Sequence, residues 1–299
     1  MATILSLSAH GFELGLLPQL GGSIAWLNWR PREGSQVPLL RPSDADAIAS
    51  GNPSNLACFP LVPFANRIAR SQFSFNGREY RLPINRPPEP LAIHGFGFQA
   101  AWRVGEQDAS TVRLHHVHQS QKSPFRYRAE QLFRLRPGRV SIEISVTHEG
   151  AEPMPYGIGL HPWFPRPSDT WLALSATTVF APDDTLLPRG PEPVSGTRDF
   201  KSGRRAEDAV PLNGCFAGWD GKASVHWPHQ KYGIDIITDQ SFRAAHLFLP
   251  ADRRVLCIEP VSHVPNVHNH PEWAEFGDLQ VLEGGSSMRG RMTLQPMIL

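Results

Sequence analysis

Short runs in which apolar and polar residues alternate recur along most of the chain. The clearest is 140–146, in which four β-branched residues are separated by single polar residues. A two-residue period places one set of side chains on a buried face, as in a half-buried β-strand. The run is the second half of segment 127–149, where Pro137-Gly138 supplies the turn residues of a predicted hairpin.

A second hairpin is predicted at 72–82. Asn76-Gly77 stands between two alternating runs there, and this dipeptide favours a type I′ turn because both positions require positive φ. Further strands of the same kind are predicted at 23–30, 111–119, 171–180, 209–216, 223–227, 233–238, 244–249, 255–259, 279–283 and 288–294.

Little of the chain has a helical pattern. Only 44–49 and 271–276 suggest helical turns, and 31–55 and 184–208 are predicted to be long surface loops. The 29 prolines are roughly twice the average share of ~5%, and with the glycines they divide the chain into short segments. No repeat, low-complexity tract or linker separates these segments. We therefore predict an all-β fold, with residues 1–299 forming one antiparallel domain.

Charge narrows the range of partners. The chain has 29 lysines and arginines against 28 aspartates and glutamates, so nothing electrostatic favours nucleic acid or a membrane surface. No apolar run approaches the ~18 residues of a membrane span, and the N-terminal residues lack the pattern of a secretory signal. Three widely spaced cysteines (Cys58, Cys215 and Cys257) indicate neither a disulfide framework nor a cysteine-based zinc site. We expect a cytoplasmic protein.

Two predicted strand ends hold candidates for acid–base chemistry. His161 follows the apolar run 156–160, Glu259 closes the apolar strand 255–259, and each is followed directly by proline, which cannot donate to a sheet ladder. Partial burial would raise the pKa of the Glu259 carboxyl and make it a better base. Simpler interpretations remain for both: a histidine that caps a strand, and a carboxylate that reaches water.

Other residues suit a sugar site. Trp163 directly follows the His161-Pro162 pair and offers an aromatic wall for the C–H face of a pyranose. Asn66-Arg67 follows a proline-rich approach, and an arginine in such a loop can donate to sugar hydroxyls or a carboxylate, unless it is only a surface arginine. His94 lies in a glycine-rich, aromatic neighbourhood where a ligand can approach the backbone closely.

Histidine clusters raise the alternative of a metal-dependent, cupin-like barrel. Three histidines lie in the predicted strand 111–119, and His263, His268 and His270 follow Glu259. Metal sites in such barrels usually use paired histidines at tight spacing, whereas prolines and asparagines separate these residues and favour a loop. We therefore expect no bound metal and no other cofactor.

Five motifs in sequence order resemble those of the aldose 1-epimerase (galactose mutarotase) family. They are Asn66-Arg67, the hairpin with Asn76-Gly77, His94-Gly95, the Gly-Leu-His-Pro run that contains His161, and Glu259-Pro260. The resemblance covers nearly the whole chain. It implies a galactose mutarotase-like β-supersandwich and a cofactor-independent isomerase whose partner is a small monosaccharide.

The resemblance also implies roles for individual residues. Glu259 matches the general base and His161 the general acid, whereas Asn66, Arg67 and His94 match contacts to sugar hydroxyls and the ring oxygen. Acid–base work near neutral pH needs a protonated imidazole beside an ionised carboxylate, and we expect nearby Glu259 to raise the pKa of His161.

One position departs from the family pattern. The resemblance implies an aspartate against the sugar hydroxyls, but Asn213 stands at the matching position, with Asp220 as a possible substitute in a nearby turn. An amide provides hydrogen bonds without charge. Two alternatives therefore stay open beside a free-sugar epimerase: a non-catalytic monosaccharide-binding module, and a hexose-6-phosphate 1-epimerase in which Arg67 and Arg70 contact the phosphate.

Overall fold

The computed structural model describes residues 3–31 and 35–299 and confirms the all-β, antiparallel prediction. Its named strand pairings are all antiparallel. The strands are β1 (Leu5–Ala9), β2 (Phe12–Leu17), β3 (Ser23–Trp29), β4 (Val37–Pro38), β5 (Pro60–Leu61), β6 (Gln72–Phe75), β7 (Arg78–Arg81), β8 (Arg103–Gln107), β9 (Thr111–Gln119), β10 (Arg126–Arg136), β11 (Arg139–His148), β12 (Met154–Tyr156), β13 (Gly159–Leu160), β14 (Trp163–Pro165), β15 (Trp171–Leu174), β16 (Thr178–Pro182), β17 (Pro188–Pro193), β18 (Phe200–Arg205), β19 (Leu212–Ala217), β20 (Lys222–Trp227), β21 (Tyr232–Thr238), β22 (Ala244–Leu249), β23 (Val255–Val261), β24 (Gln280–Leu282) and β25 (Ser287–Ile298).

Helical structure is short throughout the described residues. The one α-helix among them, α1 (Ala45–Ala49), begins at Asp44, whose side chain accepts a hydrogen bond from the Ala47 amide at 2.7 Å. Short 3₁₀ helices occur at Pro53–Asn55, Ala69–Ser71, Gly97–Gln99, Gly196–Arg198, Ala206–Ala209, Pro228–Gln230, Val267–Asn269 and Pro271–Phe276. Over the same residues, no helix has the length and apolar character needed to cross a membrane.

Two large sheets dominate the architecture. One has nine strands in the order β18-β15-β20-β21-β25-β11-β10-β9-β8, and the other has the order β17-β16-β19-β22-β23-β13-β5, with β14 also paired to β23. A four-stranded sheet, β1 to β4, and the two-stranded pairs β6–β7 and β12–β24 accompany them.

The main apolar core joins the two large sheets. It contains Ile142 and Ile144 of β11 in the first sheet together with Leu256 and Ile258 of β23 in the second. Because side chains alternate along a strand, the neighbours of Leu256 and Ile258 face the other side of the second sheet. Glu259 lies on that opposite face, and the candidate site is built there.

The predicted hairpins are confirmed, whereas both predicted surface loops are wrong in part. Asn76 and Gly77 connect β6 to β7 with φ values of 47° and 73°, as a type I′ turn requires. Segment 31–55 contains β4 and the fully buried residues Leu39 and Leu40. Segment 184–208, predicted as a loop, instead contains β17 and β18, each of which is an end strand of its sheet. Apart from buried Phe200, their residues are exposed or half-buried and show no alternating apolar pattern, because backbone pairing rather than side-chain burial defines these strands.

Candidate active site

Sheet register brings His161 and Glu259 together. Gly159 of β13 pairs with Val261 of β23, and Trp163 of β14 pairs with Cys257 of the same strand. Carrying this register across the break between β13 and β14 sets His161 directly opposite Glu259. The His161 Nε2 to Glu259 Oε1 distance is 3.2 Å, and the two side chains are only 7% and 3% exposed.

The two prolines have different effects on their strands. β13 ends at Leu160, just before His161, as predicted. β23, by contrast, continues through Pro260 to Val261, so the prediction that it ends at Glu259 is wrong. Pro260 lacks an amide proton for the ladder, but it lies beside the interruption between β13 and β14, where sheet pairing is already incomplete.

The His161 ring is fixed from several sides. Its backbone N–H donates to the Phe59 carbonyl at 2.9 Å, and its ring stacks on Phe59 and Trp163 with centroid distances of 4.3 and 5.1 Å. Aromatic packing of this kind restricts the ring to one orientation, with Nε2 towards Glu259.

Burial controls the protonation of this pair. It raises the pKa of Glu259 well above its usual range, and it lowers the pKa of His161 well below its usual value. The expectation that Glu259 raises the pKa of His161 is therefore wrong, because loss of water around the imidazole dominates. Arg67 and Arg86 act in the other direction on Glu259 and lower the pKa of its carboxyl.

Asn66 and His94 lie on two adjacent turns that are joined by hydrogen bonds. Both have left-handed backbone conformations, with φ of 57° and 60°. The His94 amide donates to the Asn66 carbonyl at 3.0 Å, and the Asn66 amide donates to His94 Nδ1 at 3.2 Å. Gly95 completes the turn at φ 70°, and a Cβ atom there would lie 2.1 Å from the Val62 carbonyl oxygen. Positive φ is uncommon for non-glycine residues, and it clusters here at the site.

Arg67 lines the cavity, but its guanidinium is largely occupied. Its Nε and Nη2 donate to the two carboxylate oxygens of Glu89 at 2.8 and 2.9 Å. This bidentate pair lowers the pKa of Glu89, although burial opposes it. Arg67 is thus held in place by a carboxylate of the protein itself, a partner that the sequence did not reveal.

Asn213 also lines this cavity. A relay of side-chain contacts connects Asn213 through His246 to Asn66. His246 of β22 is the cross-strand partner of Glu259, and its Nε2 lies 2.8 Å from Asn213 Oδ1. On its other side, His246 Nδ1 lies 3.4 Å from Asn66 Nδ2. Burial lowers the pKa of His246 to about 3, so the ring is neutral, donates to Asn213 and accepts from Asn66.

These side chains surround a cavity of about 450 Å³, a typical size for a small-molecule site. All the predicted site residues line it: Asn66, Arg67, His94, His161, Trp163, Asn213 and Glu259. Asp220 lies elsewhere, beside a different surface cavity, and exposed Arg70 is not in the lining.

Sequence reasoning missed several lining residues, chiefly His246, Arg86, Glu89 and Arg253. The alternation of 244–249 placed His246 on a strand face, but nothing local indicated which residue it would face. Arg86 and Glu89 lie in a proline-rich segment without periodicity, so no signal in the sequence separates them from ordinary surface charges.

One group of side chains could hold a metal ion. Ligand atoms of His161, Cys257 and Glu259 lie within 4.8 Å of one another, and all three residues are buried. Burial raises the pKa of the Cys257 thiol well above its usual value, which disfavours the thiolate that metals bind. His263 is not in this group: its ring nitrogens contact the Ala65 amide and the Val264 carbonyl.

Comparisons with known proteins agree with this architecture. A family model described as aldose 1-epimerase matches residues 5–295. The protein YphB of Escherichia coli K12, which carries the description uncharacterized, is 32% identical and the match covers 98% of both chains. Galactose mutarotase of Rattus norvegicus is 31% identical over 152 residues, which cover 44% of this chain and 41% of the relative.

Solved structures show the same fold. The crystal structure of a candidate aldose 1-epimerase from Escherichia coli K12 superposes with a TM-score of 0.89 at 31% identity, covering 100% of both chains. A galactose mutarotase-like protein from Clostridium acetobutylicum also gives a TM-score of 0.89, with 100% of this chain and 96% of that chain covered. At 18% identity, this second likeness shows the fold alone.

Proposed function

The chain belongs to the aldose 1-epimerase family, and on that premise we propose that it interconverts the α and β anomers of an aldose by acid–base catalysis. The observation that carries the proposal is the contact between His161 and Glu259 in the cavity, with Nε2 and Oε1 3.2 Å apart. Anomer exchange requires one base and one acid beside the same C–O bond, and this pair supplies both.

In the proposed reaction, the Glu259 carboxylate accepts the proton of the C1 hydroxyl. The electron pair of that O–H bond forms the carbonyl, the C1–O5 bond breaks, and O5 receives a proton from His161. Rotation about C1–C2 then presents the other face of the aldehyde. Ring closure reverses both proton transfers, so the enzyme ends in its starting protonation state.

This direction of transfer starts from a protonated, positively charged His161 beside an ionised Glu259. The pair thus shares one titratable proton, which His161 carries at the start. Burial favours the uncharged form of each group and so opposes the charge-separated state. Arg67 and Arg86 favour an ionised Glu259 and reduce that opposition. A sugar hydroxyl placed against the carboxylate would stabilise its charge further by hydrogen bonding.

The remaining walls suit a pyranose. Trp163, which is 3% exposed, presents an apolar ring next to His161. Asn66 and His94 on the facing turns offer polar groups within the same cavity. Because His161, Arg41 and Arg253 all pack on the Trp163 ring, this residue supports the imidazole at the cavity wall, and the fixed polar groups serve the sugar hydroxyls.

Site-directed variants test the proposal directly. Glu259→Gln and His161→Asn should each slow anomer exchange of freshly dissolved α-aldoses by about 10²–10⁴-fold, measured by polarimetry or NMR exchange. Glu79→Gln and His229→Asn are matched controls, because these side chains are 51% and 86% exposed and do not line the cavity. Full activity in a folded Glu259 or His161 variant would remove that residue from its role.

A non-catalytic sugar-binding module is the second candidate, and Asn213 favours it. The amide oxygen of Asn213 faces His246, so this position offers the cavity no carboxylate. Such a module would bind monosaccharides while anomer exchange stayed at the solvent rate. The same exchange measurement, combined with calorimetric binding of the sugar, separates the two candidates.

A further inference from the structure

The hydrogen-bonding groups of the cavity are unevenly distributed. Its three amide oxygens are already occupied: Asn52 Oδ1 accepts from the Ser54 amide at 3.0 Å, Asn66 Oδ1 from the Arg67 amide at 2.8 Å, and Asn213 Oδ1 faces His246 Nε2 at 2.8 Å. Because Arg67 is held by Glu89 and the Asn66 amide contacts His246, the donors that remain are chiefly the NH₂ groups of Asn52 and Asn213 and the guanidinium groups of Arg86 and Arg253. A ligand that fits this lining is rich in acceptor oxygens.

The net charge of the cavity lining also favours a ligand rich in acceptor oxygens. Arg67, Arg86 and Arg253 all line the cavity, and a single carboxylate, Glu89, stands against them apart from Glu259. Both oxygens of Glu89 bind Arg67 at 2.8 and 2.9 Å, whereas the nearest approach of Arg86 to Glu89 is 3.5 Å. The His161–Glu259 pair carries no net charge when it holds one proton. The cavity therefore has an excess of about two positive charges over its negative charges.

Arg253 is the least compensated of the three arginines. The nearest carboxylate oxygen is that of its own neighbour, Asp252, at 4.0 Å, and the Arg253 side chain is 44% exposed. Its guanidinium instead stacks over the Trp163 ring at 5.0 Å. His161 stacks on the same ring at 5.1 Å. Arg253 and His161 therefore contact the same indole ring and line the same cavity.

Arg41 and Arg86 are held by contacts with neutral groups near Trp163 and Ser54. Arg41 stacks over Trp163 at 4.7 Å and donates to the Leu56 carbonyl, and Arg86 Nη1 donates to Ser54 Oγ at 3.2 Å. These contacts hold Arg41 and Arg86 in place with neutral groups, and the carboxylate nearest to Arg86, that of Glu89 at 3.5 Å, is already shared with Arg67. Uncompensated charge in a half-enclosed site is unfavourable unless a ligand neutralises it.

We infer that the preferred substrate is an aldose with an anionic group at the end remote from C1, bound by Arg253 and Arg86. This inference rests on the proposed function and specifies its substrate class. A carboxylate and a phosphate ester share the required chemistry, since both present several anionic oxygens to guanidinium groups.

The test compares rates of anomer exchange for D-glucose, D-glucuronate and D-glucose 6-phosphate, each divided by its uncatalysed rate. At low ionic strength, kcat/KM for at least one anionic sugar should exceed that for glucose by about tenfold or more, and the preference should shrink as salt is added. Equal or greater efficiency with glucose overturns the inference while leaving the epimerase proposal intact.

Variants locate the subsite. Arg253→Gln should lower the ratio of anionic to neutral kcat/KM by about tenfold, as expected for loss of one charged hydrogen bond, and Arg86→Gln should lower it as well. Arg254→Gln is the matched control. This substitution removes the same charge from the adjacent position. The Arg254 side chain, however, is 66% exposed, pairs with Glu207 at 3.1 Å and does not line the cavity. An unchanged ratio in both Arg253 and Arg86 variants overturns the assignment.

Binding measurements distinguish failure of the epimerase proposal from failure of the anion-subsite proposal. If no sugar shows accelerated exchange, the epimerase proposal fails, and calorimetric titration of glucose 6-phosphate, glucuronate and glucose still tests the anion subsite. Tighter binding of an anionic sugar than of glucose, weakened in Arg253→Gln and retained in Arg254→Gln, supports the subsite. Equal binding of all three sugars rejects it.

Discussion

His263 should make the stability of this protein depend on acid in a measurable way. Its ring is 1% exposed and lies immediately behind the site, where Nε2 accepts the Ala65 amide proton at 3.0 Å. Nδ1 must then carry the ring proton, which it donates to the Val264 carbonyl at 2.9 Å. Protonation of Nε2 would place an N–H group opposite the Ala65 N–H, so that two donors face each other. Protonation should therefore break the Ala65–His263 hydrogen bond, which holds the turn preceding Asn66.

The magnitude follows from the pKa change on folding. Burial lowers the pKa of His263 from 6.5 to about 4. Between these values the unfolded chain binds a proton that the folded chain does not, so stability falls as the pH falls. Relative to neutral pH, this one histidine should reduce the free energy of unfolding by about 2 kcal/mol at pH 5 and about 3 kcal/mol at pH 4.

Urea unfolding of the parent protein and of His263→Gln at pH 7, 6 and 5 measures this contribution. The variant is expected to be less stable at pH 7 but to lose about 2 kcal/mol less than the parent between pH 7 and 5, since the other histidines act equally in both proteins. His10→Asn is the control: it removes an exposed imidazole from a turn where asparagine tolerates the positive φ of 54°. Parallel curves for the parent and His263→Gln would refute the assignment.

Further predictions concern the cavity. Asn213→Asp places a carboxylate beside His246 and should raise its pKa from about 3, which NMR titration of the ring protons would detect; an unmoved titration contradicts the relay. Glu89→Gln should lower the free energy of unfolding by about 3 kcal/mol in urea titrations, because it breaks a largely buried pair and leaves Arg67 without its carboxylate; unchanged stability would contradict this role of the pair. If the proposed mechanism holds, activity should show a broad plateau around neutral pH, because burial raises the pKa of Glu259 and lowers that of His161. A narrow optimum in pH–rate profiles would argue against one shared proton.

The sequence predicted the parts of the site that local patterns encode. A strand that ends in His161 and an apolar strand that carries Glu259 could each be recognised from alternation and proline placement. Their mutual position depends on the register between β13, β14 and β23, which no local pattern specifies. The family resemblance supplied that pairing, and the structure supplied the distance.

The electrostatics could not be predicted from the sequence. Sequence reasoning correctly expected burial to raise the pKa of Glu259, but for His161 it considered only the neighbouring charge and overlooked the loss of water, which is the dominant cause for both groups. Arg86, Glu89 and Arg253 come from segments that meet only in the folded chain. The charge balance of the cavity is therefore a tertiary property that neither composition nor spacing reveals.

The proposed chemistry and the proposed substrate selection depend on different parts of the fold. Glu259 and His246 lie on adjacent central strands of one sheet and pair directly, so their geometry is fixed by backbone hydrogen bonds and by the core beneath them. Arg86 and Arg253 lie on connecting segments outside the strands, where substitutions leave the sheet register unchanged. A change of arginine at either position should therefore alter which aldose is preferred while His161 and Glu259 keep their contact.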